Sequence, residues 1–314
     1  MVNKVIRRAE LEDALLEFGS VSVDLAPYAT TGLRMVTIGP SGIGKTNAGL
    51  VVAEQLAEQG WVSVLVDPEG ELASMYGEAA SGVDELQHCL EKRDREIVVV
   101  SAVDAGEFIP YGRTILDAAD RLRKPIFLML DEGQLFSTAK KRKGDAGEAA
   151  DLVNQFADRG RKRALDLFLT ATRFTGSLHR TIFAHKNLTL IGCQEDPTAW
   201  AALAPQFRGS RIGYAELAGL SPGEFFCFSR SGVDRVRMPM ARELAKVAPK
   251  ALPVTQKLPT TFSQWDRAMR EIPKRRLMAL TAPVVQLLGA VAGLTPQQLL
   301  AGRRALQDEL EGRG

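Results

Sequence analysis

Short, almost wholly apolar runs recur along the first 240 residues, at 33–38, 61–67, 96–102, 125–131, 165–171 and 187–192. A strand that alternates apolar and polar residues has one dry face. A strand that is apolar throughout is covered on both, which is the habit of parallel sheets flanked by helices. Between these runs the spacing turns helical. Over 47–58, Leu50, Val51, Glu54 and Leu56 fall on successive turns and Gly60 supplies a stop. Residues 224–229 and 233–238, joined around Ser231-Gly232, predict a hairpin. Residues 5–18 show amphipathic helical spacing closed by Gly19, and 21–25 alternate like an edge strand. Strand–helix alternation of this kind predicts an α/β domain with a mostly parallel sheet covered by helices.

After residue 245 the pattern changes. Pro249, Pro253 and Pro259 mark a linker; Phe262, Trp265, Met269 and Ile272 then share one helical face, and Thr295-Pro296 reads as a helix start. The expected organisation is an N-terminal arm (1–30), a core domain (31–245) and a linker with a C-terminal helical tail (246–314). Residues 277–302 carry no charge and follow Lys274-Arg275-Arg276. Pro283, Gly289, Gly293 and Pro296 interrupt them, so two packed helices are expected in place of a membrane span. The N-terminus lacks the apolar run of a signal peptide.

The net charge of +2 advertises no global field for nucleic acid, but its distribution is uneven. Residues 246–314 hold eleven basic and five acidic side chains, while the rest of the chain carries a net −4. Such a tail suits either an acidic or protein partner or simple solvation. Cys89, Cys193 and Cys227 are widely separated and odd in number, which points to buried thiols in a reducing compartment. They do not combine with His88, His179 and His185 into metal-ligand spacing.

The most specific chemistry lies at Gly39-Pro40-Ser41-Gly42-Ile43-Gly44-Lys45-Thr46. This is the full G-x-x-x-x-G-K-[ST] pattern, set between a predicted strand and a predicted helix. The glycines let successive backbone N–H groups curl around phosphate oxygens, Lys45 is placed for the β- and γ-phosphates, and Thr46 offers a hydroxyl to magnesium. The helix that follows adds its positive end. ATP and Mg2+ are therefore the expected ligands. The run ending Leu130-Asp131-Glu132 supplies the second half, with Asp131 at a strand end to hold the magnesium and Glu132 to polarise the attacking water. Sites of this type are often completed by an arginine from a neighbouring subunit. Arg161, within Arg159-Gly160-Arg161-Lys162-Arg163, is the first candidate, with Arg208 and Arg211 behind it. A solvated basic helix end is an equally good account of any one of them.

Several segments in one order resemble the HerA–FtsK superfamily of ring-shaped DNA-pumping ATPases. They are Asp67-Pro68-Glu69-Gly70-Glu71, Asp131-Glu132-Gly133-Gln134-Leu135-Phe136, Gly160-Arg161-Lys162 with the following strand and Arg173, Asn187-Leu188, Asp196-Pro197, and Leu220-Ser221-Pro222-Gly223-Glu224. The resemblance spans residues 20–240. It implies a RecA-like P-loop NTPase core, ATP bound between subunits of a ring, a hexamer by expectation, and double-stranded DNA as partner. Thr172 stands where the superfamily has a glutamine sensor, with a shorter reach. The chain is similar in size to minimal viral genome-packaging ATPases. Lys140, Lys141, Arg142 and Lys143 form a short cationic stretch among flexible residues, which grips phosphates without reading bases or is a solvated turn. The expected activity is ATP hydrolysis coupled to DNA translocation, for packaging or transfer. The alternative is an ATP-driven switch that remodels or assembles proteins.

Overall fold

The computed structural model describes residues 14–122, 124–137, 143–174 and 178–247. The linker, the predicted tail helices and the charge-free run lie outside the described residues, as do Lys140, Lys141 and Arg142.

The first described element corrects an expectation. Leu15–Phe18 is not the end of a helix but a strand, β1, which pairs antiparallel with β2 (Val21–Asp24). Leu15 and Phe18 fit a helical spacing as well as Leu16 and Phe18 fit a strand. Burial decides: Leu16 and Phe18 point into the core while Leu15 and Glu17 face solvent. Gly19, at φ 71°, turns the hairpin and terminates no helix.

The apolar runs form an eight-stranded sheet. β3 (Arg34–Ile38), β4 (Val62–Asp67), β5 (Ile97–Ser101), β6 (Ile126–Leu130), β7 (Leu165–Ala171) and β8 (Leu188–Ile191) are parallel. The hairpin β9 (Glu224–Ser229) and β10 (Gly232–Arg237) continues the sheet antiparallel from β8. The order is β10-β9-β8-β3-β7-β6-β4-β5. β7 thus lies between β3 and β6, so the strand that leads into the glycine loop is not the neighbour of the strand that ends at Asp131.

Residues alternate between two cores. Phe127, Met129 and Phe168 join one face, packed by α1 (Lys45–Glu58) and by the β1–β2 hairpin; Leu128, Leu130, Leu167 and Leu169 join the other. Helices α2 (Ala73–Tyr76), α3 (Val83–Lys92), α4 (Ala105–Leu122), α5 (Asp145–Arg163) and α6 (Arg180–His185) follow in chain order, with α3, α4, α5 and α6 covering that second face. α7 (Pro197–Leu203), α8 (Tyr214–Ala218) and α9 (Arg242–Val247) complete the described part. α1 lies close to the sheet because Gly49 has no side chain. A Cβ there would sit 2.6 Å from the Met129 methyl and 2.8 Å from the Phe168 ring. Among the described residues no helix is long and apolar enough to cross a membrane, and all three cysteines are buried and free.

α1 also holds the strand of chain that ends the described domain. Asn47 donates to the Pro239 carbonyl (2.8 Å) and accepts from the Ala241 amide (2.9 Å). Two turns on, the buried Glu54 carboxylate accepts from the Tyr76 hydroxyl (2.7 Å) and from the amides of Arg242 (2.7 Å) and Glu243 (3.1 Å). Burial alone would raise the Glu54 pKa, but these donors outweigh it and hold the carboxyl below its ordinary range. A depressed folded value means that the clasp stabilises fully above the ordinary carboxylate range and is lost as pH falls through the depressed value. Glu54→Ala is expected to lower unfolding free energy by about 2–3 kcal/mol in denaturant titration, because it removes a buried charged acceptor from two amides and the Tyr76 hydroxyl. The difference between variant and parent should shrink in acid.

Candidate functional site

In a parallel sheet every strand delivers its carboxyl end to the same edge, and ligands bind in the crevice outside that edge. Here the edge collects the glycine loop after β3, Asp67 at the end of β4, Asp131 after β6, Thr172 after β7 and Gly192 after β8.

The glycine loop is shaped by local necessity. Gly42 and Gly44 have φ of 80° and 98°, in the left-handed region that a side chain strains. At Gly39 a Cβ would press to 2.9 Å on Ile43 Cγ2, so the loop closes only over glycine. Two further segments brace it. The Gly39 amide donates to Ala171 of β7 (3.1 Å), and the Gly223 amide donates to the Ile43 carbonyl (2.9 Å). Pro40, Ser41 and Gly42 are exposed at the lip, while Ile43 and Lys45 are buried.

Lys45 opens α1, and its ammonium donates to the Pro40 carbonyl at 3.0 Å. Burial pulls its pKa below the usual lysine range; Glu132 and Asp131 act against that pull. The Thr46 hydroxyl donates to Asp131 Oδ2 at 2.7 Å. The sheet thus brings the glycine loop, Lys45, Thr46, Asp131 and Glu132 together across the width of the intervening strand.

The turn that carries Glu132 is unusual. Glu132 has φ 48° and ψ 47°, a left-handed conformation rare for a residue with a side chain. Its carboxylate accepts from the side-chain Nε2 of Gln134. Gly133 fits only without a Cβ, which would stand 2.9 Å from the Thr170 carbonyl. Phe136 then anchors the turn in the core against Phe108, ring centroids 4.8 Å apart.

Thr170 is the residue that sequence reasoning missed. Its hydroxyl donates to Asp131 Oδ1 (2.8 Å) and accepts from the Glu132 amide (2.8 Å). Thr172 sits two residues further on, partly buried on the bend past β7. The signal was present: in the apolar run Leu165–Ala171 only Asp166 and Thr170 are polar. Asp166 belongs to the opposite edge, where it accepts from the Leu33 amide and the Trp61 indole, both at 2.8 Å.

Other motif residues turn out to shape the chain locally. Asp67 accepts from the amides of Glu69, Gly70 and Leu72 and so forms the turn after β4. Asn187 accepts from the Arg34 amide and donates to the Gly32 carbonyl. Asp196 caps α7 through the Thr198 amide at 2.8 Å. Arg161 lies on the last turn of α5, which leads into the amino end of β7 and therefore lies at the sheet edge opposite its own glycine loop. Arg208 and Arg211 are exposed. Lys143 is exposed just before the start of α5, and Ser137 is buried just after the Glu132 turn.

Among the described residues no cluster of His, Cys, Asp and Glu forms a metal site of its own. The oxygens of Thr46 and Asp131 nonetheless fit a magnesium ion that arrives with phosphates. Mg2+ prefers hard oxygen ligands and commonly takes one or two protein groups beside substrate phosphates.

A glycine loop between β3 and α1, with a carboxylate pair one strand removed, defines a RecA-like P-loop NTPase fold. By sequence alone, no family model and no curated protein matches the chain. By structure, it is similar to the genome packaging NTPase B204 from Sulfolobus turreted icosahedral virus 2 in complex with AMPPCP. That match has a TM-score of 0.53 at 14% identity, over 67% of this chain and 99% of that one. The same NTPase with ATP-gammaS gives 0.54 at 13% identity, with the same coverage. The pCW3 conjugation coupling protein TcpA, in its monomer form with ATPgS, gives 0.50 at 13% identity over 77% of this chain and 69% of that one. These neighbours are P-loop ATPases of the HerA–FtsK superfamily, and the chain has their fold.

Proposed function

We propose that this chain is an ATPase motor of the DNA-translocase kind, which binds Mg-ATP at the glycine loop and couples hydrolysis to movement of double-stranded DNA. The observation that carries the ATPase reading is the contact of Thr46 with Asp131 at 2.7 Å, with Glu132 beside it and Lys45 at the head of α1. The backbone N–H groups of residues 41–46 would line the β- and γ-phosphates, and Lys45 adds a point charge there. Glu132 takes the proton of the attacking water. Thr46 and Asp131 would hold the magnesium, which when bound neutralises charge on the phosphate oxygens.

The translocase reading is supported by two neighbours named for packaging DNA and for conjugation, and by the four consecutive basic residues 140–143, which follow the Glu132 turn in the chain. A ring, hexameric by analogy, would place Arg161 of one subunit beside the nucleotide of the next. The basic tail from 246 is the segment we assign to a protein partner. Packaging or transfer of a genome is the task we infer, in the cytoplasm of a bacterial or virus-infected cell.

The test is ATP turnover with and without long duplex DNA at two salt concentrations. Lys45→Ala serves as the inactive control, alongside a variant with Lys140, Lys141, Arg142 and Lys143 changed to Gln. Stimulation that weakens with salt, as phosphate contacts require, and that disappears in the Gln variant is the expected result. Turnover that depends on Lys45 but ignores DNA would instead favour a switch that remodels or assembles proteins.

A further inference from the structure

We propose that Thr170 is a positioning residue for hydrolysis: its hydroxyl locks Asp131 and the backbone of Glu132 into one unit, so that the intervening strand β7 aims the general base. This rests on the ATPase reading above and adds a residue to it.

The geometry sets the roles. Asp131 has two side-chain hydroxyl partners, Thr46 on Oδ2 and Thr170 on Oδ1. Thr46 stands on the glycine-loop side and is the partner whose oxygen a nucleotide-borne cation would claim. Thr170 is wholly buried within the sheet and stays where it is. It is therefore the side-chain donor that keeps Asp131 oriented when the other is called away. The same hydroxyl oxygen takes the Glu132 amide, and the Thr170 carbonyl lies where a Cβ on Gly133 would collide. Both groups of Thr170 thus press on the turn from one side. Glu132 holds a left-handed conformation that ordinary residues avoid. Strain of this kind persists only where the surroundings over-determine it, and the bond from the Glu132 amide to Thr170 is the nearest such constraint. Without the hydroxyl, the amide keeps only its longer contact to Asp131 Oδ1, 3.1 Å. The turn can then relax and swing the carboxylate away from its line. A displacement of about 1 Å at a catalytic group lowers rate about 10²-fold.

Thr170→Val keeps the shape and removes the hydroxyl; Thr170→Ser keeps the hydroxyl. The expected result is a kcat lowered about 10²-fold in the Val variant, with affinity for a fluorescent ATP analogue within about threefold of the parent. The Ser variant should recover most of the rate. A second readout needs no turnover. In nucleotide-free protein, amide hydrogen exchange across 131–136 should quicken in the Val variant and not in the Ser variant, while exchange across β3 stays unchanged. Parental kcat in Thr170→Val overturns the inference, as does equal loss in Val and Ser, which would mark a packing defect. If the parent itself hydrolyses no ATP, the ATPase reading fails first, and unchanged exchange in the Val variant would then remove the positioning role independently.

Discussion

Glu132→Gln should bind ATP with close to parental affinity and hydrolyse it about 10²–10⁴ times more slowly, the usual contribution of a positioned general base. The substitution keeps the size of the side chain and its contact with Gln134, and the Glu132 backbone stays fixed by its amide. What is lost is the ability to accept the proton of water. Single-turnover hydrolysis beside equilibrium nucleotide binding separates the two effects. A variant that turns over at the parental rate would remove Glu132 from the chemistry and leave the turn as a structural device.

Arg161→Ala carries the other large effect. An arginine acting on the transferred phosphoryl group is worth about 10³–10⁵ in rate. α5 carries Arg161 to the sheet edge away from its own glycine loop, so it would have to act on a neighbouring copy. The expected turnover of Arg161→Ala is about 10³-fold below the parent, with ATP binding retained. Mixing it with Glu132→Gln supplies the decisive comparison. Some interfaces then pair an intact Glu132 from one subunit with an intact Arg161 from the other, so the mixture should exceed both inactive parents. A mixture no faster than its components would assign the work to another residue, with Arg208 and Arg211 the next to change.

The sequence revealed the parts whose signals are local. The glycine loop advertised itself because its spacing is dictated by phosphate and by the strand and helix on either side. The parallel strands were legible because double-sided burial leaves runs without polar residues. β1 was misread, while the strand that became β2 was not, because Phe18 fits a helical period with Leu15 and a strand period with Leu16, and only the core chooses between them. Thr170 escaped for a different reason. Its partners, Asp131 and the Glu132 amide, lie thirty-eight or more positions away in the chain, and they meet it only because β7 inserts between β3 and β6. No periodicity within 165–171 records that insertion. The clasp of Asn47 and Glu54 on residues 239–243 was hidden in the same way: Glu54 read as one more position on an amphipathic helix, while its donors come from Tyr76, Arg242 and Glu243.

That clasp has a mechanical meaning. Asn47 and Glu54 are seven residues apart, so they project from one side of α1, about 10 Å apart along its axis. Attachment at two such points fixes direction as well as place, as two bolts fix a bracket where one would let it pivot. The rod they are bolted through begins at Lys45, with the glycine loop at its tip. A tilt of that rod would carry Arg242 and Glu243 with it, as a rotation and a push together.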